Sequence, residues 1–80
     1  MPASVQVTKD HALPLVVRSG EPVTVYNRYH SDDVVNYNLD AQGGLAGEIK
    51  PNKAKQLTLP GTYELTTPTR ADVRLIGGGN

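Results

Sequence analysis

Along most of the chain apolar residues alternate with polar ones, and the period is two rather than the three-and-four spacing of a helix. Leu57, Leu59, Tyr63 and Leu65 share one parity, and Val73 and Leu75 resume it beyond the turn-rich TTPTRA of residues 66–71. The stretch 57–76 therefore reads as a central pair of strands with these six residues on one buried face. The rest of the chain reads as strands added to that pair.

Residues 4–8 alternate briefly, and 13–18 give an apolar run interrupted by Pro14. Proline cannot donate to a ladder, so this second run belongs at a sheet edge or begins after the proline. Residues 23–29 follow the turn at 19–22, with Val23 and Val25 on one parity and Thr24 and Tyr26 on the other. After the polar turn 30–33, residues 34–39 place Val35, Tyr37 and Leu39 opposite Asn36 and Asn38, so the two runs read as a hairpin. Residues 40–47 read as a glycine loop plugged by Leu45, and 48–50 as a short strand. Pro51-Asn52 starts a turn that leads through a lysine loop to the central pair. The tail, 77–80, is three glycines and an asparagine, with no side chain to pack. The pattern predicts an all-β protein, a small antiparallel sandwich or partly open barrel of about six or seven short strands. One β-sandwich domain spans residues 1–80, with a flexible N-terminal arm and a Gly-rich C-terminal tail.

Composition narrows this picture. Eighty residues hold one domain, and its large side chains are Val, Leu and Ile with four Tyr and neither Phe nor Trp, so the core is thin. With no cysteine to staple so small a core, association with copies of itself or with a larger partner is expected. The formal net charge is zero and the one basic concentration is Lys50, Lys53 and Lys55, which argues against nucleic acid and reads as a solvated loop. No basic region followed by an apolar run marks a secretory signal at the N-terminus, and no apolar run is long enough to span a bilayer. A protein made in a reducing cytoplasm, with no membrane partner, is the expectation.

Candidate chemistry is sparse. The bases on offer are His11 and His30, with no cysteine and no nucleophile elbow. His30-Ser31-Asp32-Asp33 contains the residue types of a triad, yet consecutive residues point in different directions and read as a solvated turn. Asp32, Asp33 and Asp40 could offer oxygens to calcium, but their spacing fits no calcium loop. No catalytic residue, cofactor or metal site is assigned. Tyr26, Tyr29 and Tyr37, on the expected hairpin, are the candidate interface: outward-facing rings form platforms for sugars or proteins.

Two resemblances bear on the reading. Leu59-Pro60-Gly61-Thr62-Tyr63 resembles the L-x-P-G-x-Y corner of immunoglobulin-like and fibronectin type III domains, with Tyr63 one residue nearer the proline than is common there. That resemblance implies a turn from one sheet to the other and a tyrosine hydroxyl tethered to nearby backbone, and no particular function. In size, strand content and lack of catalytic motifs the whole chain resembles the decoration or cement proteins of tailed-phage virions. That resemblance implies a non-enzymatic structural protein of the virion, made in the host cytoplasm. Its partners would be itself, as a homo-oligomer, and a larger protein assembly such as a capsid. The alternative is a small carbohydrate- or protein-binding module using the tyrosine platform.

Overall fold

The computed structural model describes residues 3–39 and 45–78. They form eight strands: β1 (Ala3–Thr8), β2 (Leu13–Val17), β3 (Val23–Asn27), β4 (Val35–Leu39), β5 (Leu45–Ile49), β6 (Lys53–Leu57), β7 (Gly61–Thr66) and β8 (Arg70–Gly77). Among the described residues there is no helix, and the chain is the all-β sandwich that the alternation implies.

The pairing is that of one long hairpin rolled up. β4 pairs with β5 at its tip, then β3 with β6, β2 with β7 and β1 with β8, all antiparallel. Two further antiparallel pairings, β3 with β8 and β4 with β7, join these into four-stranded sheets of order β1-β8-β3-β6 and β2-β7-β4-β5. Nested pairs distributed over two sheets make a jelly roll.

Two expected hairpins are corrected by this order. β7 and β8, the supposed central pair, lie in different sheets, as do β3 and β4. Alternation specifies which face of a strand is buried, and a crossing between facing sheets keeps that face inward as well as a hairpin does. Parity alone therefore cannot identify a strand's neighbour.

The inward faces close on one core. The first sheet contributes Val7, Val23, Val25, Leu57, Ala71 and Val73, and the second Leu15, Val17, Val35, Tyr37, Leu39, Ile49, Tyr63 and Leu65. Leu75 packs against its margin. Leu59, placed in the core by parity, is instead 42% exposed, because β6 ends at Leu57 and the crossing through residues 58–60 breaks the phase. The expected lysine loop is largely strand β6, which with β5 raises the count from the anticipated six or seven strands to eight. Leu45 opens β5 at 42% exposure and is no plug. Of the expected N-terminal arm, residues 3–8 pair along β8, and residues 1–2 lie outside those described. In the glycine tail Gly77 ends β8 and the Gly78 amide donates to the Pro22 carbonyl at 3.0 Å, while residues 79–80 lie outside those described.

The corner at residues 59–63 carries the chain from β6 in one sheet to β7 in the other. The Tyr63 hydroxyl donates to the Leu59 carbonyl at 2.7 Å, the tether that the local resemblance implies. Gly61 makes the corner possible. Its φ of 146° disfavours any side chain, and a Cβ would lie 2.5 Å from the Leu39 side chain. Burial, and then the neighbouring Tyr37, raise the Tyr63 hydroxyl above its ordinary pKa.

Leu65→Ala is expected to lower unfolding free energy by about 2–5 kcal/mol, since Leu65 is fully buried between sheets that cannot collapse onto the gap. Tyr63→Phe keeps the ring and loses the tether, for a cost of about 1 kcal/mol. Urea unfolding followed by circular dichroism measures both, and a Leu65→Ala cost below the stated range would contradict the assigned core.

Candidate functional site

Five ionisable side chains, His30, Asp32, Asp33, Arg70 and Asp72, gather at the end of the sandwich formed by the β3–β4 and β7–β8 connections. β3 continues past Asn27 alongside β8: the Arg28 amide donates to the Asp72 carbonyl at 2.9 Å and the Asp32 amide to the Arg70 carbonyl at 3.1 Å. This lays His30 and Ser31 over Asp72. Ser31 Oγ donates to the Asp72 carbonyl at 3.1 Å and accepts from its amide at 2.8 Å. His30 Nε2 and Arg70 Nη1 each lie 2.8 Å from the same Asp72 Oδ2, and Arg70 Nε reaches Asp32 at 3.0 Å. With its side chain 19% exposed, Asp72 is the shielded centre of the group. Burial would raise its carboxyl, but the hydrogen bonds and charge of Arg70, and then His30, outweigh burial and hold it below its ordinary value.

This arrangement is a clamp. The Ser31 hydroxyl is engaged as donor and acceptor by main chain from 41 residues away, so it does not face His30 as a nucleophile faces its base. Of the three calcium candidates, Asp33 bonds the Val34 amide and the Thr69 hydroxyl, Asp32 pairs with Arg70, and Asp40 lies outside the described residues. Among the described residues no three His, Asp or Glu side chains converge as metal ligation requires.

Two residues that sequence reasoning missed complete this end. Asn27 is fully buried, and its Nδ2 donates to the Asp33 and Ile49 carbonyls at 3.0 and 2.9 Å, tying both sheets together. Its signal was parity, since it is in phase with Val23 and Val25. Arg70 had no such signal, because its carboxylate partners come from another turn and from its own strand.

The three tyrosines of the expected platform lie in different surroundings. Tyr26 lies on the outer face of the first sheet and donates its hydroxyl to Asn52 Oδ1 at 2.8 Å. Tyr29 is 73% exposed in the β3–β4 connection, edge-on to His30 at 5.2 Å between ring centroids. Tyr37 shares the inward parity of Val35 and Leu39, and its buried ring packs 6.4 Å from that of Tyr63. The three rings have no common face.

The sheet edges differ more tellingly. A rolled sandwich of four-stranded sheets leaves four edges, here β1 and β6 of one sheet and β2 and β5 of the other. Free edges invite pairing unless proline, charge or irregularity blunts them. β2 carries Pro14, and β5 carries Gly47 and Glu48. β6 carries Lys53 and Lys55, and both oppose inward-facing residues, Asn27 and Val25, so they sit on the core-facing parity of their strand. Inward-pointing charge is a strong guard against edge pairing. β1, with ASVQVT, has no charge, proline or glycine and is six residues long.

No protein-family model and no curated protein matches the chain. Among solved structures it is similar to a de novo designed double-stranded beta-helix determined by solution NMR, with a TM-score of 0.71 over 96% of this chain and 97% of that one. At 14% identity the likeness is one of fold, and it agrees with the nested strand order.

Asp72 gives this end a testable acid response. A carboxyl whose pKa is lower in the folded state stabilises the fold above its unfolded value of about 4, and the contribution is lost as pH falls through the folded value. Asp72→Asn is therefore expected to lower the urea midpoint at neutral pH, with the gap to the parent closing below about pH 4. A gap unchanged in acid would show that the carboxylate charge does not hold the clamp.

Proposed function

We propose that the chain is a non-enzymatic structural protein that pairs with a second copy along β1 and, so paired, braces a larger protein assembly. A virion shell is the assembly that the chain's format suggests. The observation that carries this reading is the contrast among the edges: β1 is uncharged and unguarded beside three edges that are blunted. An uncharged strand suits its own copy, because antiparallel pairing about a two-fold axis brings no like charges together. The pairing would extend the β1-β8-β3-β6 sheet across the axis, and main-chain hydrogen bonds would supply the affinity. His30, Ser31, Asp32, Arg70 and Asp72 support the same reading, being engaged with one another in the clamp.

Exposed apolar groups offer contacts for the larger assembly. Val16 is 57% exposed on the outer face of β2, and Ile76 is 42% exposed near the end of β8. Small contacts of this kind hold when symmetry repeats them. A sugar-binding platform of Tyr26, Tyr29 and Tyr37 is the weaker reading, since the rings face three ways.

Ultracentrifugation at micromolar concentration is expected to show a dimer. Ser4→Lys with Gln6→Lys adds charge on the outward parity of β1, where both side chains are exposed, and is expected to give a folded monomer. The same variant should lose its place on particles that the parent protein binds. A parent that sediments as a monomer, or a charged variant that dimerises as well as the parent, would contradict the proposed pairing.

A further inference from the structure

Where β5 and β6 face one another, two inward-facing positions supply no apolar side chain to the seam between the sheets. One is Gly47, opposite Tyr37, and the other is Lys55, opposite Val25. The Tyr37 ring leans over Gly47, its hydroxyl standing where a Cβ would project. Lys55 reaches toward solvent. The result is a cavity of about 230 Å³ lined by Tyr37, Leu45, Leu57, Leu59 and Tyr63, with Lys55 among its polar members.

Three features of this cavity define what it would take. Its lining mixes Leu45, Leu57, Leu59 and two tyrosines with the polar Lys55, Gln56 and Thr58, and two of its leucines, Leu45 and Leu59, keep 42% exposure. Burying them is favourable in proportion to the area covered. Its cation is single: among the described residues Lys55 forms no ion pair, and one ammonium beside two exposed leucines suits a monoanion with an apolar body, with Gln56 and Thr58 as further polar neighbours of the charged end. Its size is modest. Apolar cavities of about 150 Å³ take up benzene, so this one suits a ring or short chain of roughly eight to ten heavy atoms.

We propose that the β5–β6 seam is a binding site for a small monocarboxylate with an apolar body, of the size of hexanoate or phenylacetate. The body lies against the exposed Leu45 and Leu59, above the buried Leu57 and Tyr37, and the carboxylate meets the Lys55 ammonium at the mouth. This site is independent of β1, on the opposite margin of the sandwich, so neither proposal stands or falls with the other.

The test is titration of the isotope-labelled protein with hexanoate and with phenylacetate, followed by amide and side-chain NMR shifts, with hexanamide as the uncharged control. Saturable shifts centred on Leu45, Lys55 and Leu59 are expected, with a dissociation constant of about 1 mM or tighter. Hexanamide is expected to bind about fivefold more weakly, the worth of one partly exposed charge contact. Lys55→Gln, on an exposed side chain, is expected to fold normally and to reduce hexanoate to the level of hexanamide. Absence of saturation up to roughly 10 mM, shifts centred elsewhere, or equal binding of hexanoate and hexanamide by the parent would overturn the site, leaving Lys55 as an edge guard alone.

Discussion

Two strands hold the molecule together, because each has a partner on both sides: β8 between β1 and β3, and β7 between β2 and β4. Their inward residues Ala71, Val73, Tyr63 and Leu65 are fully buried and face one another across the sandwich. With no Phe or Trp to fill the interior, this layer of aliphatic groups and one tethered tyrosine must exclude water from both sheets. The Tyr63 hydroxyl bond to Leu59 and the Asp72 clamp lie at opposite ends of this pair of strands and secure where the chain enters β7 and β8. A strand that slipped by one residue would turn Val73 or Leu65 outward and open the core.

That layer was largely legible in the sequence, since period-two parity records burial directly. Leu57, Tyr63, Leu65 and Val73 were each placed inward by it, and Val35, Tyr37 and Leu39, all buried, were placed on one common face. Pro14 marked an edge strand, and β2 is one. Parity failed where the chain leaves a strand, as at Leu59, and where an edge strand turns charged groups inward, as at Lys53 and Lys55. Hydrophobic patterning reads such a strand as a loop, because what protects an edge is what breaks the pattern.

Neighbours were less legible than faces. β1 and β8 meet with most of the chain between them, and no local signal says that residue 5 lies beside residue 73. The same limit hid the clamp, whose Asp32, Arg70 and Asp72 come together only once β3 lies along β8. The tyrosines were grouped because they are close in sequence, whereas Tyr37 shares the buried parity of Val35 and Leu39 and so parts from Tyr26 and Tyr29. Rolling a hairpin into two layers separates sequence neighbours and joins distant residues, so constellations in this fold belong to the register.

The proposed pairing depends on one physical asymmetry, an uncharged edge at β1 and guarded edges at β2, β5 and β6. Amide hydrogen exchange measured at low and at high protein concentration tests it residue by residue. In an edge strand the amides directed away from the sheet exchange freely until something pairs with them. The account predicts that the outward-directed amides of residues 4–8 become protected as concentration rises, while the free-edge amides of β2, β5 and β6 exchange alike at both concentrations. Exchange at β1 that is independent of concentration, or protection that develops along β5 or β6 instead, would contradict it.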